Sequence, residues 1–394
     1  MTKTEIKNLL FYKNFKSYGG AEVLFFRHYE WLKKRGEKVY VVCFEYKQIN
    51  DLIIDSDDLK IIKGKTNISK IINLIIVLLK YRCRYMFCHS GPLEFGVAAI
   101  LSRLNFSIFL HQPTCMSFNE LNKFSIFFWH RYCNFVKKDK MFFQIKKIKS
   151  NLNLLEIIYI EIRTFILQLI YKYADSIFVL SKFAVKEKMK IFGLRAIALK
   201  GAVTKESVLN LVNKSNKIIS NDLIELVSIS RLDINKRIEV IIKAVHLLIK
   251  KGFNIRLRIG GKGPAEIYLK KLVSKLKLEN NIEFLGFVKN KDLENIYKTM
   301  DLFTTIDWAD YRITTYEVLA ENRRVIVSDD TDLDTEILDS GYLFKSNPDP
   351  NSLSNTIEFA LKNNPKWSKN KLSKYLEKYS WDNYFTNIYS FLLN

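Results

Sequence analysis

Residues 228–237 read S-I-S-R-L-D-I-N-K-R, residues 256–264 read R-L-R-I-G-G-K-G-P, and residues 311–320 read Y-R-I-T-T-Y-E-V-L-A. The first two segments run from an apolar stretch typical of a buried strand into a polar or glycine-rich turn. The third opens a helical pattern that carries Glu317. Two cations, a flexible backbone loop and a helix N-terminus can hold a diphosphate, and a carboxylate can accept two ribose hydroxyls. The combination predicts an enzyme that uses an activated sugar nucleotide.

Short apolar runs alternate with helical patterns on both sides of these turns. The predicted strands are 39–44, 86–89, 107–111 and 176–181 before residue 200, and 225–229, 256–260, 282–285, 302–305, 324–328 and 341–344 after it. Strand–helix alternation over two halves predicts two doubly wound α/β domains, in which ligands bind beyond the carboxyl ends of the strands. The boundary falls near 200–222, where Lys, Asn and Ser replace the apolar periodicity.

Composition limits the class of protein. A chain of 394 residues with 48% hydrophobic and 26% charged residues is globular and long enough for two domains. The five cysteines are odd in number and form no C-x-x-C pair; they are Cys43, Cys83, Cys88, Cys115 and Cys133. This usage predicts reduced, mostly buried thiols in an intracellular protein and argues against a zinc site.

No segment has the pattern of a signal peptide or a membrane span. The longest apolar run, 71–79, is far shorter than the roughly 18–20 residues that a span needs. Lys80, Arg82 and Arg84 close it. We therefore expect a buried helix there.

The formal net charge of +22 requires an anionic partner or another explanation. Residues 123–149 contain basic residues, bulky aromatic residues between them, and Asp139 as the one acidic residue. Such a mixture suits an anionic membrane interface, and it also suits base stacking. A third interpretation is an ordinary helical insertion, at about residues 120–150, in a Lys- and Ile-rich sequence. Membrane contact is the favoured functional alternative, and we expect no nucleic acid.

Two further turns hold candidate site residues. In S-Y-G-G-A-E, residues 17–22, Gly20 permits close backbone approach at a predicted helix N-terminus, although a plain tight turn explains it as well. His111 ends a predicted strand before Pro113, so it faces the interdomain cleft or is satisfied by its neighbours. His89 ends another strand, and no two histidines have the spacing of metal ligands.

The cations at Arg231 and Lys236 are five residues apart, across a strand-to-helix loop. The turn with Gly261 and Gly263 follows one strand later, which favours phosphate binding over a solvated surface pair. This turn has neither the G-K-[ST] of a P-loop nor a G-x-G-x-x-G fingerprint. At the third turn, Thr314 or Thr315 is expected to cap the helix that carries Glu317. The free N–H groups at the start of this helix complete an anion site.

Taken together in their order along the sequence, these motifs resemble those of the GT-B fold glycosyltransferases of retaining family 4, the glycosyl transferases group 1. The resemblance covers nearly the whole chain. S-R-L-D-I-N-K-R is similar to the family's G-R-L-x-x-x-K-G, and I-G-G-K-G-P-A-E is similar to its V-G-x-G-P loop. The other matching segments, in the family's order, are G-G-A-E, A-D-S-I-F-V-L-S-K, N-N-I-E-F-L-G-F-V, L-E-N-I-Y-K-T-M-D-L-F and Y-S-W-D-N-Y.

The resemblance implies a role for each candidate residue. Arg231 and Lys236 would neutralise the donor diphosphate, Glu317 would bind the nucleotide ribose, and His111 would lie near the transferred sugar. The donor-binding set is Gly20, Arg231, Lys236, Gly261, Gly263, Ile313, Thr314, Thr315 and Glu317. The family usually needs no metal, because cationic side chains and helix dipoles replace it, so we expect neither metal nor cofactor.

One departure concerns the family's E-x7-E pattern. The position eight residues before Glu317 is Ala309, and the glycines that usually follow are replaced by Asp310 and Arg312. Asp307 or Asp310 would supply the missing carboxylate, with Asp310 placed among the catalytic candidates. Otherwise the donor sugar is contacted differently, or the protein is inactive.

The sequence therefore predicts two Rossmann-like domains of the GT-B fold, facing across a cleft. Residues 1–204 would bind the acceptor, residues 222–372 the nucleotide sugar, and residues 373–394 would form a helix that crosses back. The expected reaction is retaining transfer of a hexose from UDP- or GDP-sugar to a glycan or lipid-linked glycan, in the cytoplasm or on the inner face of the cell membrane. An inactive GT-B protein that binds glycan or membrane, and a sugar-nucleotide epimerase of this fold, are the alternatives.

Overall fold

A computed structural model describes residues 7–15, 19–48, 53–110, 154–215, 222–307, 311–329 and 331–393. The predicted basic insertion at 120–150, together with His111, Ala309 and Asp310, lies outside these ranges. The chain divides into two compact units, Met1–Leu199 and Lys200–Asn394. The predicted boundary at residues 200–222 thus falls at the start of the second unit.

The first unit is built on a parallel sheet. Its strands are β1 (Lys7–Phe11), β3 (Lys38–Cys43), β5 (Leu59–Ile61), β6 (Tyr85–Cys88), β7 (Ser107–Leu110), β8 (Ser176–Val179) and β9 (Ile197–Ala198), with β2 (Asn14–Phe15) and β4 (Glu45–Tyr46) as a separate short pair. The strand order is β5-β3-β1-β6-β7-β8-β9. The helices are α1 (Gly20–Lys34), α2 (Asn67–Tyr81), α3 (Pro92–Leu101), α4 (Leu154–Tyr173) and α5 (Lys182–Glu187), the last continued by a π-helical turn, Lys188–Phe192.

The second unit repeats this plan with six parallel strands. They are β10 (Ile224–Ile229), β11 (Ile255–Gly260), β12 (Ile282–Gly286), β13 (Leu302–Thr305), β14 (Arg324–Ser328) and β15 (Leu343–Ser346), in the order β12-β11-β10-β13-β14-β15. The helices are α6 (Lys205–Asn210), α7 (Ile238–Lys250), α8 (Glu266–Lys275), α9 (Asn290–Thr299), α10 (Ile313–Ala320), α11 (Pro350–Lys362), α12 (Lys369–Glu377) and α13 (Trp381–Leu393). Short 3-10 helices span Ile234–Lys236 and Thr335–Ser340.

Continuous apolar runs form these strands because helices cover both faces of a parallel sheet. All five residues of β14 are buried, and β10 pairs in register with β11 and β13 through Leu226, opposite Leu257 and Leu302. The predicted fold class, two parallel-sheet Rossmann-like domains, is confirmed.

Several predicted elements need correction. Residues 373–394 are not one helix, because α12 ends at Glu377 and the Ser380 hydroxyl accepts a hydrogen bond from the Asn383 N–H in the first turn of α13. The sequence pattern at 334–339 also predicts a helix, and the structure has a 3-10 helix there, Thr335–Ser340. The crossing of the last helix to the first domain stays a prediction.

The run at 71–79 does form a helix, but the prediction that it is buried is wrong for most of its surface. Only Leu74 and Leu78 of α2 are buried. Cys43, Cys83 and Cys88 are buried free thiols, as predicted for these three. Among the helices in the described ranges, none is long and apolar enough to cross a membrane.

Candidate functional site

The strand order places a crevice in the second unit. From β10 the chain moves to β11 and β12 on one side of the sheet, and β13, β14 and β15 fill the other side. The loops after β10 and β13 therefore diverge. This position, where the strand order reverses direction, is the switch point of the sheet, and an open α/β sheet binds its ligands there. The first unit has the equivalent point between β1 and β6.

The glycine-rich turn after β11 packs directly on the loop after β10. A Cβ atom on Gly261 would overlap the carbonyl oxygen of Ser230, and one on Gly263 would overlap that of Leu232. Gly261 also has φ +129°, a region that disfavours side chains. The Leu232 N–H donates to the Lys262 carbonyl at 3.1 Å, so the two loops form one backbone surface. The predicted role of Gly261 and Gly263 in binding a donor stays a prediction, but both glycines are required for this contact.

Lys236 is directed inward at the end of its 3-10 helix. Its ammonium group donates to Asp307 Oδ2 at 3.3 Å, and 14% of its side chain is exposed. Burial, followed by the charge of Arg312, lowers the pKa of Lys236 well below its usual value. The cation therefore lies in a polar pocket where a further negative charge would favour its protonated form.

Asp307 follows β13 and is 2% exposed. Its Oδ1 accepts a hydrogen bond from the Thr305 hydroxyl at 2.7 Å, and its Oδ2 contacts both Lys236 and the guanidinium group of Arg312. Burial lowers the pKa of Arg312 to about 10, which leaves it charged at neutral pH. The cluster of Lys236, Asp307 and Arg312 therefore pairs two cations with one carboxylate.

Helix α10 begins at this cluster. Arg312 is the residue at its N-cap position and makes no side-chain capping hydrogen bond. The expectation that Thr314 or Thr315 caps the helix is wrong, because the helix begins at Ile313 and both threonines lie inside its first turn. Thr315 is fully buried, whereas Ile313 and Thr314 are half-buried at the start of the helix. An uncapped first turn beside two cations is a favourable place for a phosphate.

The remaining donor-site candidates of the second unit lie around this turn. Glu317 is half-buried in α10, one helical turn after Ile313. The side chain of Arg231 is 65% exposed, and its Nε lies 3.7 Å from Asp233 Oδ2. Arg231 is thus a solvent-facing cation, whereas Lys236 is a buried one.

Buried tyrosines hold α10 against the last helices of the same unit. The ring of Tyr316 lies 4.3 Å from that of Tyr379 and 5.3 Å from that of Tyr311. The Tyr379 hydroxyl donates to the carboxylate of Asp334. This packing fixes the start of α10, and therefore Arg312, through the tertiary structure.

In the first unit, Gly20 is the first residue of α1, which follows β1 at the equivalent switch point. Its cap residue, Gly19, has an extended backbone and makes no side-chain capping hydrogen bond. Burial and the neighbouring carboxylate of Glu22 raise the pKa of the Tyr12 hydroxyl, which hydrogen-bonds to that carboxylate. The predicted contact of Gly20 with a donor phosphate stays a prediction.

His89 does not face an open cleft. It is 2% exposed, and its Nε2 lies 3.0 Å from Nδ1 of His28, which is fully buried. The His89 ring stacks on Phe109 with 4.2 Å between centroids. Burial lowers the pKa of His28 to about 3, so this ring is neutral and structural.

Two features of the site do not follow from the sequence patterns. The sequence identifies Arg312 only as the replacement of a glycine, and Asp307 only as a substitute for the missing glutamate. In the structure, Asp307 pairs with both Lys236 and Arg312. A cation directly before a predicted helix is the available signal for Arg312. Within the described ranges, no three His, Cys, Asp or Glu side chains are grouped so as to hold a metal ion.

Comparisons with known proteins assign this arrangement to a class. The family model described as "Glycosyl transferases group 1" matches residues 212–380. The chain has the GT-B fold, and its C-terminal unit is a glycosyl transferases group 1 domain.

Similar sequences carry related names. The chain is 28% identical over 176 residues to an uncharacterized glycosyltransferase of Methanocaldococcus jannaschii, covering 42% of this chain and 43% of that protein. It is 27% identical over 172 residues to the α-monoglucosyldiacylglycerol synthase of Streptococcus pneumoniae, covering 43% of this chain and 38% of that protein. The chain thus matches less than half of the length of each relative.

Solved structures match over nearly the whole chain. HepE of Anabaena, in complex with UDP and glucose, has a TM-score of 0.68 at 12% identity and covers 99% of this chain and 100% of its own. Sucrose-phosphate synthase of Thermosynechococcus elongatus has a TM-score of 0.69 at 15% identity, with 98% and 99% coverage. At these identities the likeness shows the fold.

Proposed function

We propose that the protein is a retaining glycosyltransferase that moves a hexose from a UDP- or GDP-sugar to a lipid-linked glycan or another glycan. The observation that supports this most directly is the pair of cations, Lys236 and Arg312, on Asp307 at the uncapped start of α10. It lies at the sheet position where α/β domains bind ligands, in a group 1 domain.

Each group has a chemical task in this proposal. The donor diphosphate contacts Lys236, Arg231 and the first N–H groups of α10, at Ile313, Thr314 and Thr315. Glu317 accepts the ribose hydroxyls, and Gly261 and Gly263 allow the backbone to approach. Gly20 and His111 of the first unit serve the donor phosphate and the transferred sugar.

The reaction needs charge stabilisation more than a nucleophile. The bond from the sugar C1 to the phosphate oxygen breaks, and its electron pair stays on the leaving diphosphate. The acceptor oxygen bonds to C1 on the same face and gives its proton to a phosphate oxygen. Preorganised cations lower this barrier because they are already in place when the charge develops. No metal is required for the balance of this step.

Asp307 explains how the cations stay in place without a ligand. A buried ammonium with no partner would be costly, and the carboxylate compensates for it. Because Arg312 shares the same carboxylate, the cluster retains one positive charge for the diphosphate.

The acceptor is proposed from relatives. Two α-monoglucosyldiacylglycerol synthases and a phosphatidylinositol N-acetylglucosaminyltransferase component of Arabidopsis thaliana, named for their action on lipids, share sequence with this chain. These names support the proposal that the reaction takes place at the inner face of the cell membrane, with a lipid-linked acceptor ahead of a free glycan.

A thermal-shift series with UDP, GDP and ADP, and then with their sugars, tests the donor. One nucleotide diphosphate should raise the unfolding temperature more than the others, because a ligand that binds only the folded state stabilises it by mass action. Lys236→Ala should abolish the shift, whereas Lys250→Ala, an exposed lysine at the end of α7, should retain it. Wild-type protein that none of these compounds stabilises would contradict the proposal.

Transfer is tested separately with a radiolabelled donor and a lipid extract or a soluble glycan fraction. Label should move into the lipid fraction. A donor that is converted to another nucleotide sugar without any acceptor would identify an epimerase instead.

A further inference from the structure

The exposed surface of α4 is mostly apolar, with Glu156 near its start and Lys172 in its last turn as the exposed charged residues. Ile160 and Ile170 are buried against the first unit, and the opposite side of the helix is exposed to solvent. The exposed apolar residues there are Leu154, Leu155, Ile158, Tyr159, Ile162, Phe165, Leu169 and Tyr173. Leu155 is 78% exposed and Phe165 64%. A helix on the surface of a globular domain normally carries polar residues on this side, so an apolar one indicates a partner.

Helix α2 has the same property. Leu74 and Leu78 face the core, while Ile68, Ile72, Ile76 and Leu79 form an exposed stripe at helical spacing. Ile68 is 71% exposed and Ile76 59%. Two separate helices of one unit therefore expose apolar stripes.

The two stripes lie on the same side of the sheet. Helix α2 connects β5 to β6, α3 connects β6 to β7, and α4 connects β7 to β8. Each of these connections moves across the sheet in the same direction, from the β5 edge towards the β9 edge. Parallel crossovers are right-handed, so all three helices cover one face. Helix α3 lies between the other two and contacts both. A Cβ atom on Gly96 of α3 would overlap Ile170, so α3 and α4 are in close contact.

Basic residues border this surface at one end. Helices in parallel crossovers run in the same direction, so α2, α3 and α4 end at the same edge. Exposed cations are found there: Lys80 and Arg82 after the α2 stripe, Arg103 after α3, and Lys172 in the last turn of α4. Exposed Leu79, Leu101 and Tyr173 lie beside them in sequence. Apolar and aromatic side chains next to cations match the headgroup layer of an anionic bilayer.

We infer that the exposed stripes of α2 and α4, with the basic edge at the ends of α2, α3 and α4, are the surface by which the first unit lies on an anionic lipid bilayer. We call this set of residues the outer surface. The inference deepens the proposed membrane location and rests on it for the choice of lipid, but it assigns the contact to residues outside the segment 120–150.

Charge favours a bilayer over a second copy of the chain. A second copy would bring together two chains that each carry a net positive charge, which costs free energy. Anionic lipid neutralises the same cations. None of the described helices is long and apolar enough to cross the bilayer, so the contact lies in the plane of the interface.

Flotation of the full chain with vesicles tests the inference. Wild type should float with phosphatidylcholine vesicles that contain phosphatidylglycerol, and less with phosphatidylcholine alone. Ile162→Glu with Phe165→Glu should reduce binding at least about tenfold, because two apolar side chains leave the bilayer interior and two anions meet its surface. Ile72→Glu with Ile76→Glu should act in the same direction, which covers the case in which the first variant does not fold.

The matched control is Ile267→Glu with Tyr268→Glu, two exposed apolar residues of α8 in the second unit. It should bind vesicles as wild type does. All variants should keep the thermal shift that the preferred nucleotide diphosphate causes in wild type, so a failure of donor binding is distinguishable from a failure of membrane binding.

Three outcomes overturn the inference. The first is wild type that floats with neither kind of vesicle. The second is wild-type binding by both outer-surface variants, which would place the contact elsewhere, including residues 111–153. The third is a wild-type dimer in size-exclusion chromatography that Ile162→Glu with Phe165→Glu converts to a monomer, which would assign the outer surface to a second copy.

Discussion

The two units have the same sheet plan, but the charges at their switch points differ. In the first unit, one cation meets one carboxylate, since Lys13 lies 2.5 Å from Glu94, and two histidines are buried beside this point in contact with each other. In the second unit, Lys236 and Arg312 share Asp307. The first arrangement is neutral and the second has a surplus positive charge. The two switch points therefore differ in the charged side chains that follow their strands, although the sheets share one plan.

The largest expected effect concerns Asp307, the carboxylate that pairs with both Lys236 and Arg312. Asp307→Asn leaves two cations without their partner in a buried site, which should lower the free energy of unfolding by about 4 kcal/mol. Chemical denaturation measures the loss, and a saturating concentration of the preferred nucleotide diphosphate should restore part of it by supplying a negative charge. Asp57→Asn, an exposed acidic residue of the first unit, is the control and should have little effect. An unchanged stability of Asp307→Asn would show that the cluster does not hold the site together.

The second test compares lysines at the two switch points. Lys236→Ala should reduce turnover on the order of 10²-fold, or about 2.7 kcal/mol, because a preorganised charge next to the leaving diphosphate is lost. Lys13→Ala removes the cation of the neutral pair and should reduce turnover less than about tenfold. Steady-state kinetics with the preferred donor separates the two variants. Equal losses would remove the distinction between the switch points, and wild-type turnover in Lys236→Ala would exclude the proposed mechanism.

The third expected effect, which is small per pH unit, is a dependence of the stability of the first unit on pH. His28 has a pKa of about 3 in the folded protein, below the ordinary value of about 6.5 for an unfolded chain. The unfolded state therefore binds more protons between these values, and stability is complete above about pH 6.5 and falls as the pH is lowered. The slope should approach about 1.4 kcal/mol per pH unit between roughly pH 6 and pH 4.

Urea denaturation across this pH range measures the slope. His28→Gln should flatten it, whereas substitution of the half-buried His246 in the second unit should leave it unchanged. A slope that His28→Gln does not alter would assign the acid sensitivity to other groups.

Much of the fold follows from local pattern. Apolar runs of strand length, separated by helical periodicity, predict two parallel sheets, and Gly261 and Gly263 indicate a turn in which backbones approach closely. Turns after strands come together at the carboxyl edge of a sheet, so the sequence alone places Lys236 near the start of α10.

Other features are not predictable from neighbours along the chain. Lys236 and Asp307 are 71 residues apart, and the sequence leaves both Asp307 and Asp310 open as the missing carboxylate, with Asp310 among the catalytic candidates. The capping expectation for Thr314 and Thr315 fails because α10 begins at Ile313, beside buried Tyr311 and Tyr316. The aromatic packing with the last helices positions this turn, and local propensity contains no information about it.

The sequence by itself determined the fold class, the similarity to group 1 glycosyltransferases and the cations of the loop after β10, because each depends on residue type at short spacing. Only the tertiary structure decided which carboxylate pairs with Lys236, how deeply Arg312 is buried, and that α2 and α4 expose apolar stripes. The reason is physical: an apolar helical pattern indicates which side chains avoid water, but whether protein or another phase covers them depends on the elements packed around the helix.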